Sequence, residues 1–572
     1  MESSELLLLL AAHLALTGLP LVATSLYVAR RGEQRVPVLL AVGLAASGAV
    51  GILGFWSYYA DPLVGESFSY FVLFGSILLA CWSLYGGHLD RGLLRRLGTP
   101  LVLWGLGSAF LVFLGFVHGG VDSPLATAAS RFSHTLPTDN QIPIFYAEWF
   151  SEHGHDGVPP VFPGEWHFSD RPPLQAGYAL SQRAFGWDAK GLNYQVLGVV
   201  LQQLWIVGLW ALLVAARVGR VTRALTMVAV LVSNLAIVNG FFVWPKMLPA
   251  AMLLAVAALV MTPLWPSLRR HLWAAGLIAA LCALAMLGHG SSVFGIVPLA
   301  LIAAYRGLPD WRWLGVGLAT GIALMGSWSA FQKYDDPPGN RLTKWTLASV
   351  VEIDARGTSE AIVDAYGEAG LDGTLDNKAL NFETMIGATP IRDTFDIVFA
   401  STSPGEAVRA VRGLFFFYLL PSMGLLLFAP AVMLAARLRG WRDGAEWRLA
   451  LTCFSAFAIG AVAWGLLLFG GVNDRTVLHV CSYLLPLLGI CGAVVGLRAA
   501  FPRFALYFVG IAALLSLALY VPSLDPPVGS DYSPLAAALA AIGLAVFGAV
   551  ALRGDGAEEP RTVSQAGLTQ GG

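Results

Sequence analysis

The chain has 572 residues, of which 56% are hydrophobic and only 12% are charged, and its formal net charge is −1. Soluble proteins carry about 25% charged residues, and the mean hydropathy here is +0.67, so the composition excludes an ordinary soluble domain. A nearly neutral chain without a basic arm also argues against a nucleic-acid partner. The five cysteines lie in apolar runs and lack the spacing of a metal site or a disulfide framework.

Repeated apolar runs of about 20 residues predict an all-α polytopic membrane protein. The first run lacks the positive start of a secretory signal, so we expect a spanning helix that begins outside. The polar, glycine-rich tail at residues 553–572 is expected to be disordered. We count fifteen candidate spans: 5–29, 36–59, 68–86, 100–119, 194–217, 224–243, 247–263, 272–288, 291–305, 314–331, 413–437, 448–470, 480–498, 503–521 and 534–552.

The arginines indicate how the chain is oriented, because cytoplasmic loops collect arginine and lysine. Alternate connections are rich in arginine, from Arg30 and Arg31 at the start to Arg553 at the end. The intervening short connections hold only Lys246 and Arg475. This alternation predicts a multi-pass protein of the plasma (inner) membrane with its N-terminus outside and its C-terminus inside.

Two connections are too long to be simple turns and are predicted on the outer face. We name residues 120–193 the first long loop and residues 332–412 the second long loop. Proline suits the first turn of a helix, and Pro143 and Pro173 therefore each predict an amphipathic helix lying on the bilayer. In the second long loop a short helix is predicted to end at Gly370, and no fold is predicted for the remainder.

Ionisable residues crowd the predicted outer surface and are scarce in the spans. The spans hold the amides Gln202, Gln203 and Asn234, for which interhelical hydrogen bonds are the ordinary explanation. The outer residues are Asp122, His134, Asp139, Glu148, Glu152, His153, His155, Asp156, Glu165, His167, Asp170, Arg171, Lys246, His289, Arg341, Lys344, Arg475 and His479. Carboxylates beside cations at a membrane rim suit a substrate that is half lipid. Its phosphate would lie among the cations while a carboxylate deprotonates an incoming hydroxyl.

Two short motifs in the first long loop carry a family resemblance. They are Thr138-Asp139-Asn140-Gln141, followed by Phe145-Tyr146, and Asp170-Arg171-Pro172-Pro173-Leu174. Counted from the span at 100–119, one span precedes this loop and six lie between the two long loops. This arrangement resembles the GT-C superfamily of polyprenyl-phosphate-dependent glycosyltransferases. The motifs are most similar to those of the lipid A aminoarabinose transferases and protein O-mannosyltransferases, with Asn140 where the family often has glutamate.

The resemblance implies sugar transfer, with inversion, from a polyprenyl-phosphate donor to a glycan, lipid or protein of the cell envelope. It also implies a GT-C-like organisation of the chain. The expected parts are additional N-terminal helices at 1–99, a core at 100–331, the second long loop at 332–412, C-terminal helices at 413–552 and the tail at 553–572.

Carried over by motif, Asp139 is expected to be the catalytic base, Asp170 to orient the site or bind a divalent cation (Mg, Mn or Ca), and Arg171 to contact the donor phosphate. The rim residues expected to bind substrate are Lys246, His289, Arg341, Lys344, Arg475 and His479. Tyr146 is a candidate for stacking on the sugar.

Other interpretations fit the same residues. Asp139 and Asp170 also suit helix caps, and Arg171 and Lys246 suit anchors for lipid headgroups or the membrane interface. The His-x-His string at residues 152–156 with His167 also fits a zinc site, although no HExxH motif is present. The competing functions are a polyprenyl-diphosphate oligosaccharide ligase or polymerase, a transporter or flippase for a lipid-linked sugar, and a structural assembly subunit.

Overall fold

The computed structural model describes residues 3–87, 89–132, 136–186, 191–417, 419–438, 444–470, 483–520 and 532–554. These residues are almost entirely helical and contain no strand, apart from one isolated bridge between Phe162 and Trp166. The predicted all-α class is confirmed for the described residues. Arg475, His479 and His134, all singled out by the sequence, lie outside them.

Ten helices among the described residues are long and apolar enough to cross a membrane, or eleven if a pair bent by 53° forms one span. The ten are Ser4–Arg30, Val36–Ala60, Pro62–Leu84, Arg91–Gly115, Leu192–Ala215, Trp311–Tyr334, Pro421–Leu438, Ala445–Leu467, Pro502–Tyr520 and Pro534–Arg553. The bent pair is Arg220–Leu231 with Asn234–Phe242. Shorter apolar helices are Met247–Val260, Leu272–Gly288, Gly290–Tyr305 and Leu484–Ala500. Each predicted span overlaps one of these helices, and fifteen crossings stays a prediction.

The second N-terminal helix packs against the first long loop. Helix Val36–Ala60 packs directly on helix Leu174–Arg183, where a Cβ added to Gly177 would lie 1.9 Å from the carbonyl oxygen of Gly51. Only glycine permits this approach of two backbones. Residues 174–182 are all buried, so the expectation that this helix lies on the bilayer surface is wrong.

An aromatic cluster joins the first long loop to the bundle. The Phe55 ring lies 5.4 Å from the Phe150 ring and 5.3 Å from the Phe168 ring, and Phe331 of helix Trp311–Tyr334 completes the group. Phe150 lies on helix Ile142–His153, which the sequence predicted from Pro143. Burial of these rings contributes to the apolar attachment of the loop.

The second long loop is largely helical, whereas the sequence predicted only one short helix in it, ending at Gly370. Gly370 is the expected break, with φ of +61°, but the helix resumes after it and ends at Ile386. The helices of this loop are Arg341–Ala348, Thr358–Ile386, Ala388–Ala400 and Pro404–Phe417. The smaller helical elements of the first long loop are Pro124–Ser130 and the 3-10 turns Thr138–Gln141 and Phe168–Asp170.

Connections that the arginine pattern assigns to the cytoplasmic side contact one another. Arg223 donates to the carbonyl oxygen of Gly554 at 2.6 Å, and Arg306 donates to that of Thr262 at 2.8 Å. Each bond joins two connections predicted to be cytoplasmic. The contacts agree with the alternation, and the assignment of that end of the bundle to the cytoplasm stays a prediction.

Candidate functional site

A cavity of about 390 Å³ opens where the two long loops meet the helix ends. The first long loop contributes Asp139, Trp166 and Arg171 to its wall. The remaining lining residues come from the helix ends and from the second long loop: Trp244, Met286, His289, Gly290, Ser291, Val293, Phe294, Leu342, Thr343, Trp345, Thr346, Leu347 and Leu467. Apolar walls with a few convergent polar groups are typical of small-molecule sites.

Asp139 and Arg171 form an ion pair on the cavity wall. The Nη2 atom of Arg171 donates to the Oδ2 atom of Asp139 at 2.9 Å, and the two side chains are 12% and 16% exposed, respectively. The Arg171 guanidinium lies 4.1 Å from the centroid of the Trp166 ring. Its Nε atom is buried and has no hydrogen-bond partner among the described residues. Asp139 takes only one of the five N–H donors of Arg171, and Arg171 lines the cavity, so it keeps donors for a ligand while it holds the carboxylate.

These contacts decide between the interpretations of the first motif. No backbone N–H of the described residues donates to the Asp139 carboxylate, so this residue is not acting as a helix cap there. Arg171 is mostly buried in an ion pair and does not extend outward as a headgroup anchor. Both side chains predicted as base and phosphate ligand line one cavity.

Asp170 occupies a different place. Its Oδ2 atom accepts a hydrogen bond from the backbone N–H of His167 at 3.0 Å and lies 3.8 Å from Nη1 of Arg341. The side chain is 2% exposed and is not part of the cavity wall. Burial raises the pKa of Asp170, and the His167 N–H and the arginines Arg171 and Arg341 oppose that shift. The cap interpretation thus describes Asp170 better than a role in direct contact with substrate.

The start of the second long loop is hydrogen-bonded to the first long loop. The Asp336 carboxylate, 4% exposed, accepts from Nδ1 of His167 at 3.0 Å and from the backbone N–H of Ser169 at 2.8 Å. Gln332 donates through Nε2 to the Ser169 carbonyl at 2.8 Å. Arg341 donates to the backbone carbonyl of Glu165 at 2.5 Å. These contacts fix the segment that carries Trp166 and Arg171, and Asp336 is the residue in them that the sequence missed.

Two cations predicted to bind substrate are used structurally. Arg341 lies 4.3 Å from the Trp166 ring centroid and donates through Nε to the Val351 carbonyl at 2.7 Å. Lys344 is 1% exposed and donates through Nζ to the Asp354 carbonyl at 2.5 Å. Neither side chain lines the cavity. Their predicted contact with substrate is therefore not supported.

The remaining predicted residues also differ in whether they line the cavity. His289 lines the cavity, and its Nδ1 atom accepts from the backbone N–H of Ser291 at 3.1 Å. The Lys246 ammonium lies 3.9 Å from the ring centroid of Trp244, a lining residue, and is itself 3% exposed. Tyr146 is fully buried, donates to the Trp166 carbonyl at 2.5 Å and does not line the cavity, so its predicted stacking on a sugar is not supported.

The carboxylates of the site fit a divalent cation poorly. Such cations prefer several converging oxygen ligands, but Asp139 is paired with Arg171 and Asp170 lies beside Arg341. Within the described ranges no group of three or more His, Cys, Asp or Glu residues could hold a metal. The loop histidines do not converge either, because His153 stacks on Trp149 and His167 contacts Asp336. The zinc interpretation thus lacks support among the described residues.

Buried amides connect the site to the bundle beneath it. Gln175 donates to the Val243 carbonyl at 2.7 Å, and Gln202 donates to Oε1 of Gln175 at 2.9 Å. Tyr194 donates to the carbonyl of Asn140, the residue after Asp139, at 3.0 Å. The predicted interhelical bonding of Gln202 is confirmed. Gln203, in contrast, is buried and makes no side-chain hydrogen bond with the described part of the chain.

The comparisons with known proteins add no relative. No family model matches the chain, and no curated protein or solved structure is significantly similar to it. The site's own chemistry must therefore carry the functional argument.

Proposed function

We propose that this protein is a membrane glycosyltransferase of GT-C type that moves a sugar from a polyprenyl-phosphate donor to a cell-envelope acceptor on the extracytoplasmic face. The observation that carries the proposal is the Asp139–Arg171 ion pair on the wall of a cavity above membrane-spanning helices. A carboxylate and a guanidinium with a spare donor are the two groups that transfer from a phosphate carrier requires.

In the proposed reaction the Asp139 carboxylate accepts the proton of the acceptor hydroxyl. The hydroxyl oxygen attacks the anomeric carbon as the bond from that carbon to the phosphate oxygen breaks. Polyprenyl phosphate leaves, and Arg171 stabilises the charge that develops on it. A single displacement of this kind inverts the anomeric configuration.

The aromatic lining supports a sugar as the transferred group. Trp166 and Trp345 stack with ring centroids 5.8 Å apart, and Trp244 forms another part of the wall. Flat indole surfaces suit the apolar faces of a sugar ring, whereas the few polar groups set its orientation.

A transporter or flippase for a lipid-linked sugar is the second candidate, because the bundle contains buried polar residues that the sequence did not reveal. His13 of the first helix places Nδ1 2.7 Å from Oε1 of Gln182, and Gln182 donates to Oγ1 of Thr17 at 2.9 Å. Polar groups within a bundle can mark a substrate path. They also fit simple packing of the N-terminal helices on the loop helix, which makes this the weaker proposal.

The decisive experiment is transfer from radiolabelled polyprenyl-phosphate sugars by purified protein in nanodiscs. Asp139→Asn keeps a hydrogen-bond acceptor for Arg171 but removes the base, and transfer is expected to fall at least about 100-fold. The transfer rate of Arg171→Ala is expected to fall by about 100- to 1000-fold. Asp156→Asn is the matched control, since that carboxylate lies in the same loop with 90% of its side chain exposed.

Asp139→Asn with the rate of wild type would refute the assignment of the base. Movement of intact donor across the membrane without transfer would favour the transporter. Transfer only from diphosphate-linked oligosaccharides would favour the ligase or polymerase.

A further inference from the structure

A second cavity, of about 440 Å³, lies where two apolar helices are interrupted. One interruption separates Arg220–Leu231 from Asn234–Phe242, which are bent by 53° relative to each other, and Ser233 at this bend lines the cavity. The other is at Gly424, which has φ of +55° within the candidate span Pro421–Leu438 and also lines the cavity. Irregular backbone at membrane depth is tolerated only where it is buried in protein or lines a cavity. Interrupted helices of this kind form the binding sites of many membrane proteins.

The walls of the second cavity are apolar and reach the lipid-facing surface. Phe428 and Leu515, on two different candidate spans, line it and are 60% and 49% exposed, respectively. Phe395 of the second long loop also lines it and is 55% exposed. None of its described lining residues is charged. Exposed apolar side chains on membrane-crossing helices contact lipid chains, so the walls suit an apolar chain that enters from the bilayer.

Asn234 adds an unused hydrogen-bond donor to these apolar walls. Its Oδ1 atom accepts from Oγ of Ser516 at 2.5 Å, whereas its Nδ2 atom makes no hydrogen bond with the described part of the chain. The residue is only 6% exposed, yet Nδ2 is not sealed inside the protein as the amide atoms of Gln203 are. A Cβ added to Gly424, another lining residue, would lie 3.8 Å from this Nδ2 atom. The unused amide N–H of Asn234 is therefore accessible from the cavity.

The donor and the walls together define the chemistry of a ligand. An amide N–H needs an acceptor oxygen, which an isoprenoid chain does not have. A phosphate would need cations, and the described lining residues include none. The carbonyl of an acyl lipid is an acceptor joined directly to an apolar chain. The N-terminus of helix Asn234–Phe242 also lies at this point, and its partial positive charge favours a carbonyl oxygen.

We infer that the second cavity binds an acyl lipid, whose chain lies between the spans Pro421–Leu438 and Pro502–Tyr520 and whose acyl carbonyl accepts from Nδ2 of Asn234. This site goes beyond the proposed function and does not depend on it. The second cavity shares no described lining residue with the cavity that holds Asp139 and Arg171.

The test compares two photoactivatable lipids bound to the purified full-length protein in dodecyl maltoside. One is a phosphatidylglycerol with a diazirine in an ester-linked chain, and the other is its ether-linked analogue, which lacks the carbonyl. Labelling of peptides that contain residues 421–428 or 509–519 is titrated against the concentration of each probe. Wild type is expected to bind the ester probe about three- to tenfold more tightly, the contribution of one neutral hydrogen bond. Asn234→Leu is expected to abolish this preference by weakening the ester probe alone.

Asn239→Leu is the matched control, because it makes the same substitution in the same helix at a fully buried amide that does not line the second cavity. It should keep the preference of wild type. If Asn234→Leu does not fold, Ala512→Phe narrows the cavity from the span Pro502–Tyr520 and should weaken both probes.

Equal affinity of wild type for the two probes, or a preference that survives in Asn234→Leu, would overturn the assignment of Asn234. Labelling of the two segments that is no stronger than labelling of helix Pro62–Leu84, of which only 11% is buried, would reveal annular lipid only and would overturn the site itself. Neither measurement involves sugar transfer, so this inference and the proposed function fail separately.

Discussion

Asp336 provides the sharpest test of how the two long loops assemble the site. Its carboxylate accepts from the His167 ring at 3.0 Å and from the Ser169 backbone N–H at 2.8 Å, with only 4% of the side chain exposed. A hydrogen bond to a charged group contributes about 1.5–3 kcal/mol. Because the two bonds share one carboxylate and are not additive, Asp336→Ala is expected to cost about 3–5 kcal/mol.

The neighbouring Asp335 is the matched control. It is exposed and accepts one hydrogen bond from the Tyr59 hydroxyl at 2.8 Å, so Asp335→Ala is expected to change stability by no more than about 1 kcal/mol. Thermal unfolding in detergent measures the global effect. Hydrogen exchange in a peptide spanning residues 165–172 measures the local effect, and the exchange rate should rise only in Asp336→Ala. The role of Asp336 in joining the two long loops would be refuted if Asp336→Ala had the same melting temperature, and the same hydrogen exchange in that peptide, as Asp335→Ala.

Two further predictions concern protons and metals. Burial raises the pKa of Asp170 above its usual 3.8, so the folded state favours the protonated carboxyl. As pH rises from 3.8 through the raised pKa of the folded state, ionisation of this carboxyl lowers the free energy of unfolding. The stability of Asp170→Asn relative to wild type should therefore increase as pH rises from about 3.8, and this difference should then level off. Melting temperatures of both proteins measured from about pH 3.5 to 8 test this. A difference that is constant with pH, or that changes in the opposite direction, would contradict it. Because Asp139 is neutralised by Arg171, donor-dependent transfer is expected to persist in EDTA, and a loss restored by Mg²⁺ or Mn²⁺ would contradict that expectation.

The sequence located the charged half of the site but not its geometry. Asp139 and Arg171 were chosen from two short motifs, and they meet at 2.9 Å across 32 residues of chain. No local pattern encodes that meeting, because it is a tertiary contact between two separate segments of the loop. The close approach of Gly177 to Gly51, which packs helix Leu174–Arg183 on helix Val36–Ala60, is likewise invisible in either segment alone.

Charge alone did not indicate which residues of the second long loop line the cavity. Arg341 and Lys344 are cations in an outer loop, yet both hold backbone carbonyls on the buried face of their helix. The phase of an eight-residue helix with mixed composition cannot be fixed by periodicity, so the sequence did not single out Trp345 as a lining residue. Asp336 had only its place in an acidic pair before two prolines to mark it, and an acidic pair is equally typical of a solvated loop.

Arg171 has three simultaneous roles that explain why arginine suits this position. One edge of its guanidinium donates to Asp139, its face lies over Trp166, and its buried Nε–H has no partner among the described residues. A planar group with five donors can hold a carboxylate and still offer a donor to a phosphate. A lysine ammonium is a compact charge on a flexible stem and could serve only one of these partners with fixed geometry. In the proposed reaction, the residue that binds the leaving phosphate therefore also orients the base, so departure of the phosphate and removal of the proton are coupled through one side chain.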